Sequence, residues 1–297
     1  MTEFKHTVTI EDEGKEVKDI MRMYFDFSSR FRNKVKREKL VYLNGEPTQG
    51  WYKVKTGDVV SIALPEEESH FPAQPIPLDP VYEDDDLLLL NKQPGLIVHP
   101  TKGHPAGTVA NGLMQYQADH GQSWKIRFVN RLDMDTSGLL IVAKNAYSQN
   151  ELTGQMRKGL LHKTYIAIVS GVLEEDRGTI DLPIGRPDPV DIRRRVMEGG
   201  APSVTHYTVL ERFARYTLVE LGLETGRTHQ IRVHMAHIGH PILGDHLYGE
   251  EKPYIIERQA LHAARLEFSH PATGKPLRIE APLPEDMQKA IAFCRGK

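Results

Sequence analysis

From Val81 onward the chain alternates short apolar runs with turn residues. The runs predict strands at Leu87–Leu90, Leu96–Val98, Ile126–Val129, Leu139–Ala143, Tyr165–Val169, Val204–Leu210, Tyr216–Leu223, Leu261–Phe268 and Leu277–Ala281. Helical spacing predicts helices over 107–119, 145–158, 227–238 and 284–294. In the third of these, Thr228 is the expected cap and Ile231, Met235 and Ile238 the buried stripe. That leaves Arg227 at the helix entrance, where it could face a carboxylate. Strands outnumber helices and do not alternate strictly with them, so an α+β domain with a central antiparallel or mixed sheet is expected.

Upstream the pattern differs. Residues 1–64 read as a small α/β module, mainly helical over 15–38, with a basic run in the second helix. Val41-Tyr42-Leu43 then enters an Asn44-Gly45 hairpin signal, and Lys53–Leu64 reads as a turn and a strand. Pro65, Pro72, Pro75, Pro77 and Pro80 crowd residues 65–80, which predicts an extended linker. Residues 81–297 would form the larger domain.

No run of 18 apolar residues occurs, and the first residues lack a signal peptide's apolar stretch; a cytoplasmic protein without a membrane span is expected. Cys294 is the single cysteine, so no intramolecular disulfide can form. The net charge of −2 hides local clusters. Arg30, Arg32, Lys34, Lys36, Arg37 and Lys39 oppose only Glu38, and Arg193-Arg194-Arg195 forms a second patch. Such patches can hold a polyanion, although solvated helix faces would look the same.

The densest candidate for chemistry is Asn130-Arg131-Leu132-Asp133-Met134-Asp135-Thr136-Ser137-Gly138, a loop just before the buried run Leu139–Ala143. It offers a carboxylate and a guanidinium with no cysteine, serine–histidine pair or metal cluster beside them. Asp135 is accounted for by turn chemistry, whereas Asp133 stands outside the turn residues. Four further stations are Gly95–Pro100 with His104-Pro105, Leu161–Ala167, Gly226–Arg232 and Leu261–Leu266. Taken alone, Tyr165 would be a core tyrosine and Arg227 a surface cation. His229, His234, His237 and His240 invite a metal reading, but 229 to 234 advances about 500° around a helix. His240 lies beyond Gly239, and no metal or cofactor is expected.

Together these stations resemble the RluA-type pseudouridine synthases, which isomerise uridine to pseudouridine in ribosomal or transfer RNA. The resemblance runs from about Pro80 to Pro284 and includes His240-Pro241 and Gly244-Asp245. It implies that Asp133 is the essential carboxylate, that Tyr165 stacks on the target base and takes its carbon-5 proton, and that Arg227 pairs with the aspartate. Arg131 would fill the space left when the uridine flips out. Asn130 stands where the family carries a histidine. Asn130, Thr136, His99, His229 and Arg232 would touch RNA. The N-terminal module is similar to a small alpha-L RNA-binding domain through its basic helix and hairpin, with Arg32, Lys34 and Arg37 as RNA contacts; Val8–Lys18 departs from the pattern.

The reaction neither gains nor loses atoms, so it needs no cofactor. The carboxylate would act as nucleophile at the sugar carbon or as base at its neighbour. Flipping the base costs a few kcal/mol. A monomer acting on structured RNA, ribosomal ahead of transfer, is the resulting expectation. Two rivals remain: an idle RNA-binding protein, suggested by Asn130 and the separate basic module, and a histidine-metal hydrolase, suggested by the run from His229 to His246.

Overall fold

The computed structural model describes residues 4–25, 27, 29–64, 67–101, 103–188, 190–249 and 255–296; Pro65, Glu66 and the Arg30 side chain lie outside them. At the N-terminal end, β1 (Phe4–Thr7), α1 (Val17–Tyr24), α2 (Ser29–Arg37), β2 (Val41–Leu43), β3 (Glu46–Pro47) and β4 (Val59–Ile62) build one sheet with two helices against it. The strand order is β1-β4-β2-β3, antiparallel throughout. Asn44 and Gly45 both take positive φ, as the two-residue β2–β3 turn requires. Ile20 and Met21 of α1 and Val35 of α2 bury against Val41, Val60 and Ile62.

The linker residues Glu67–Asp79 contain neither helix nor strand, yet they are fastened along their length. Ser69 Oγ accepts from the Ile126 amide, Pro72 O from Asn111 Nδ2, Pro77 O from Gln93 Nε2 and Asp79 O from the Asn91 amide.

The larger body opens with β5 (Pro80–Glu83), β6 (Leu87–Lys92), α3 (Val109–Asp119), β7 (Arg127–Phe128), β8 (Ser137–Ala143), α4 (Ala146–Arg157) and β9 (His162–Ser170). It continues through β10 (Arg177–Asp181), β11 (Ile184–Gly185), β12 (Arg195–Val196), β13 (Val204–Arg212) and β14 (Tyr216–Leu223). Helix α5 (Gln230–His237), β15 (Leu261–Ser269), β16 (Pro276–Glu280) and α6 (Glu285–Cys294) complete it. The main sheet runs β10-β13-β14-β9-β15-β8-β6-β5, with β16 beside β15 and β7 beside β8. Its pairings are antiparallel except β8–β15, so the expected mixed sheet is what forms. Alternation splits the apolar runs between two faces: Leu88, Leu90, Leu140 and Val142 enter one core, Leu87, Leu89, Leu139 and Ile141 the other. From the N-terminal unit's side, Phe4 and Phe27 close on Tyr147 of α4, with ring centroids 4.3 and 5.3 Å away.

Several elements differ from the sequence expectation, among them the short strands β1, β5, β11 and β12, which it did not contain. Leu96–Val98 is not a strand, because its carbonyls receive Lys92 Nζ and the first amides of α3. The helix expected from 227 starts at Gln230, and Thr228 does not cap it; His229 does so in the left-handed conformation, φ 58°. Strand β10 has only Ile180 buried, too little apolar pattern to be read from sequence.

The parallel seam aligns the site. Gly138 of β8 pairs with Ala263 of β15, and Ala263 pairs with Tyr165 of β9. One row across three strands thus brings the loop before β8 level with Tyr165. Gly138 has φ +107°, and a Cβ there would lie 2.3 Å from the Ala263 carbonyl oxygen. Gly138→Ala is expected to cost about 3 kcal/mol or more, from backbone strain plus overpacking, seen as a lower denaturation midpoint.

Candidate active site

The loop before β8 is fixed by side chains from several elements. Asn130 Nδ2 donates to Leu139 O at 3.1 Å, and its Oδ1 accepts from the Ile141 amide at 2.7 Å. Buried Lys92 donates to Gln93 O, Leu96 O and Met134 O at 2.8–3.0 Å. Arg258, paired with Asp286 of α6, donates to Asp135 O at 3.0 Å, and Gln259 Nε2 donates to Thr136 Oγ1 at 3.3 Å. These contacts bear on two expectations. Asn130 and Thr136 are buried and their polar atoms bond to the protein, although Asn130 still lines the cavity over Asp133.

Asp133 caps this loop with its side chain a quarter exposed. Its Oδ2 accepts from Arg232 Nη1 at 3.0 Å. This replaces the expected Asp133–Arg227 pair. Arg227 is exposed, and its Nε donates to Pro202 O at 3.2 Å, because the late start of α5 leaves residue 227 in a loop. Arg232, in the first turn of the helix, is buried beneath the aspartate. Its other face donates to fully buried Asp245, Nε to Oδ2 at 2.6 Å and Nη2 to Oδ1 at 2.8 Å. Burial opposes the guanidinium's charge, but the two carboxylates outweigh it and hold Arg232 above its ordinary pKa. Among the described residues, no hydrogen bond reaches Asp133 Oδ1.

His229 stands next to the carboxylate, with Nε2 3.8 Å from Asp133 Oδ2. Its Nδ1 lies 2.9 Å from the Tyr248 hydroxyl, and the Tyr248 ring lies 5.2 Å from the Arg232 guanidinium. Burial pushes the His229 pKa down, so the neutral ring is favoured near pH 7.

A cavity of about 1180 Å³ opens over Asp133, Tyr165, Arg131, Lys163 and Arg227, and reaches Phe31, Lys34 and Glu67 on the far side. Tyr165 is nearly buried, and burial, with the nearby Asp133, raises its pKa further above neutrality. Arg131 is exposed and donates to Thr228 Oγ1 across the mouth. His99 is exposed on the rim, edge-on to Phe71. Lys163, two residues before Tyr165 and not singled out from sequence, is a buried cation whose pKa burial lowers. From α2, Lys34 pairs with Glu67 at 3.0 Å, while Glu67 also pairs with buried Arg127. Arg32 turns back to Phe27 O and Ser29, and exposed Arg37 pairs with Glu38 at 3.3 Å.

The histidine run disperses. His234 Nε2 donates to Leu182 O and its Nδ1 meets Thr205; His240 faces Ser170 O and His246 faces Glu257 O. The described residues bring Asp84, Asp86 and His270 close enough to share a cation, but Asp84 is already bonded to His270, Tyr82 and two amides. His229, His234 and His262 all have pKa values lowered first by burial. An unfolded histidine takes a proton near 6.5, so below that pH the unfolded chain binds more protons than the folded one. Stability is therefore expected to fall as pH drops from about 6.5, which denaturation midpoints at pH 7 and pH 5 would read.

Residues 86–237 match the RNA pseudouridylate synthase family. The chain is 47% identical to the uncharacterized RNA pseudouridine synthase YlyB of Bacillus subtilis, over 86% of each protein. It is 40% identical to ribosomal large subunit pseudouridine synthase D of Haemophilus influenzae, over 95% of this chain and 91% of that one. Its fold overlays human RNA pseudouridylate synthase domain containing 1 with a TM-score of 0.57 at 27% identity, over 76% of this chain and 98% of that one. The chain belongs to the RNA pseudouridylate synthase family, in its RluA branch, and is an enzyme that isomerises uridine to pseudouridine in RNA.

Proposed function

We propose that the chain acts on defined uridines of ribosomal RNA, with Asp133 as the essential carboxylate. The carrying observation is the state of that side chain. One oxygen is fixed on Arg232, itself clamped by Asp245, while the other accepts no hydrogen bond from the described residues, beside a cavity large enough for a flipped nucleotide. That relatives 40% identical to this chain include ribosomal large subunit synthases supports ribosomal over transfer RNA.

The reaction breaks the bond from base nitrogen 1 to the ribose and forms one from base carbon 5, with a proton leaving carbon 5 and one arriving at nitrogen 1. Asp133 would attack the sugar carbon or remove the neighbouring proton; both routes use the unbonded oxygen. Arg232 orients the carboxylate and balances its charge throughout. Tyr165 would hold the detached uracil by stacking. Its raised pKa favours the neutral phenol, so any part in removing the carbon-5 proton is a hand-off through the hydroxyl and not attack by a standing phenolate. Arg131, free of the sheet and at the mouth, suits the vacancy left by the flipped base. The N-terminal unit would add phosphate contacts, so binding should weaken as salt rises.

The idle-binder reading loses one of its two motives, since the Asn130 amide serves the loop's backbone. The test is to map pseudouridines by chemical labelling and reverse-transcription stops in RNA from cells with and without the gene. Loss of one or a few ribosomal sites is expected, and restoration by the intact gene. Loss confined to transfer RNA would overturn the substrate assignment.

A further inference from the structure

Away from the cavity, the N-terminal unit carries a second pocket of about 330 Å³. Lys18 of α1, Lys36 of α2, Lys39 and the turn through Thr48, Gln49 and Trp51 bound it. The turn is anchored on both shoulders. Gly50 O accepts from the Lys18 amide and Tyr52 O from the Val17 amide, each at 2.9 Å, and the Tyr52 amide closes the turn on Gln49 O.

At this fixed point two rings stand in solvent. Trp51 is 68% exposed and Tyr52 49%, with their centroids 6.4 Å apart. A single exposed aromatic is ordinary. Here the adjacent pair is presented by a backbone that cannot collapse, and the unit's core closes without either ring. The neighbouring charges share one sign. Lys18 is paired with Glu16, but among the described residues Lys36 and Lys39 have no acidic partner.

We propose that this pocket binds one unpaired nucleotide of the RNA, its base stacked on the Trp51 indole and its phosphates held by Lys36 and Lys39. Stacking needs only a π face, which every base has, and the lysines need only a phosphate, so the site would tolerate sequence. It is distinct from the cavity's own cations. Lys34 and Lys36 lie about 200° apart around α2, and Lys34 faces Glu67 and the cavity. RNA reaching Trp51 therefore lies on the opposite side of α2 from the cavity that takes the target uridine. The inference rests on RNA as the substrate, but not on Asp133.

Trp124 is 8% exposed, so a fluorescence response of the full-length protein to RNA reports chiefly on Trp51. A single-stranded oligouridylate is expected to quench it, and a blunt RNA duplex of the same length is not. Trp51→Ala should remove the quenching and weaken oligouridylate binding about 5- to 150-fold, the usual effect of losing one stacked base. It should raise KM and leave kcat at saturating RNA unchanged, because the ring touches nothing in the cavity. Lys36→Ser with Lys39→Ser should flatten the salt dependence of binding. Quenching that persists in Trp51→Ala, equal quenching by the duplex, or an unchanged dissociation constant would each overturn the proposal. A variant that still forms pseudouridine while showing those results would leave the catalytic reading standing, so the two failures are read apart.

Discussion

Asp133→Asn is expected to lower kcat by at least about 10²–10⁴-fold, the range a positioned acid or base contributes, with RNA affinity kept. The substitution preserves shape, and its amide oxygen can still accept from Arg232 Nη1 in place of Oδ2. What it removes is the charge and the nucleophilic or basic oxygen facing the cavity. Asp135→Asn is the matched control. Asp135 lies two residues away, but the structure uses its carbonyl oxygen, which accepts from Arg258, and that group survives the change. The control should stay within a few-fold of the parent. Pseudouridine formation within a uridine-containing ribosomal fragment, followed over time at saturating RNA, measures both. A near-parental rate for Asp133→Asn would place the chemistry on another group.

The second large effect is expected at Arg232. Arg232→Ala removes the partner of a fully buried carboxylate, leaving Asp245 with two amide donors, from Leu247 and Tyr248, but no counter-charge. Breaking a buried pair from one side costs about 3–5 kcal/mol. The same change releases Asp133 Oδ2, so turnover should fall together with stability. Arg227→Ala should leave stability nearly unchanged, since that side chain is exposed and bonds one carbonyl; surface changes of this kind stay within about 0.5 kcal/mol. Its turnover, which a cavity-lining residue can affect, should fall less than that of Arg232→Ala. Urea unfolding midpoints and slopes for the two variants, beside their turnover, give the comparison. A larger loss at Arg227 than at Arg232 would reverse the pairing described above.

The confusion between these two arginines shows where sequence legibility stops. Long buried runs declared themselves: Leu139–Ala143 sits inside β8 and Tyr216–Leu223 matches β14. The RluA resemblance led to the right family because its motifs are spread over most of the larger body. Which arginine meets Asp133 depended on where α5 begins, and the positive φ of His229, which delays that start, leaves no clear mark in a pattern of apolar spacing. A helix begun at 227 would have put residue 227 at its entrance; begun at 230, it carries residue 232 inward. Asn130 and Thr136 misled for a related reason. A polar residue in a catalytic loop looks available to substrate, and only the structure reveals that the backbone of β8 and Gln259 have already claimed them. Lys163 enters the sequence reading only inside the Lys163-Thr164-Tyr165 motif, with no role of its own, and Tyr248, one tyrosine in a loop, carries no spacing signal at all.

The fastened linker has a geometric consequence. Proline-rich connections are ordinarily tethers, whose reach is a distribution that lets two binding surfaces engage partners at many separations. From Ser69 to Asp79 this one is laid down on the body, while Glu67 holds Lys34 and Tyr147 closes on the unit's aromatic rings. The catalytic cavity and the proposed Trp51 pocket would then behave as the ends of a gauge. A substrate would be accepted for the distance and angle between two of its own elements as much as for the bases at either. Inserting a base pair between them in the RNA would move the uridine out of reach while leaving its local sequence intact.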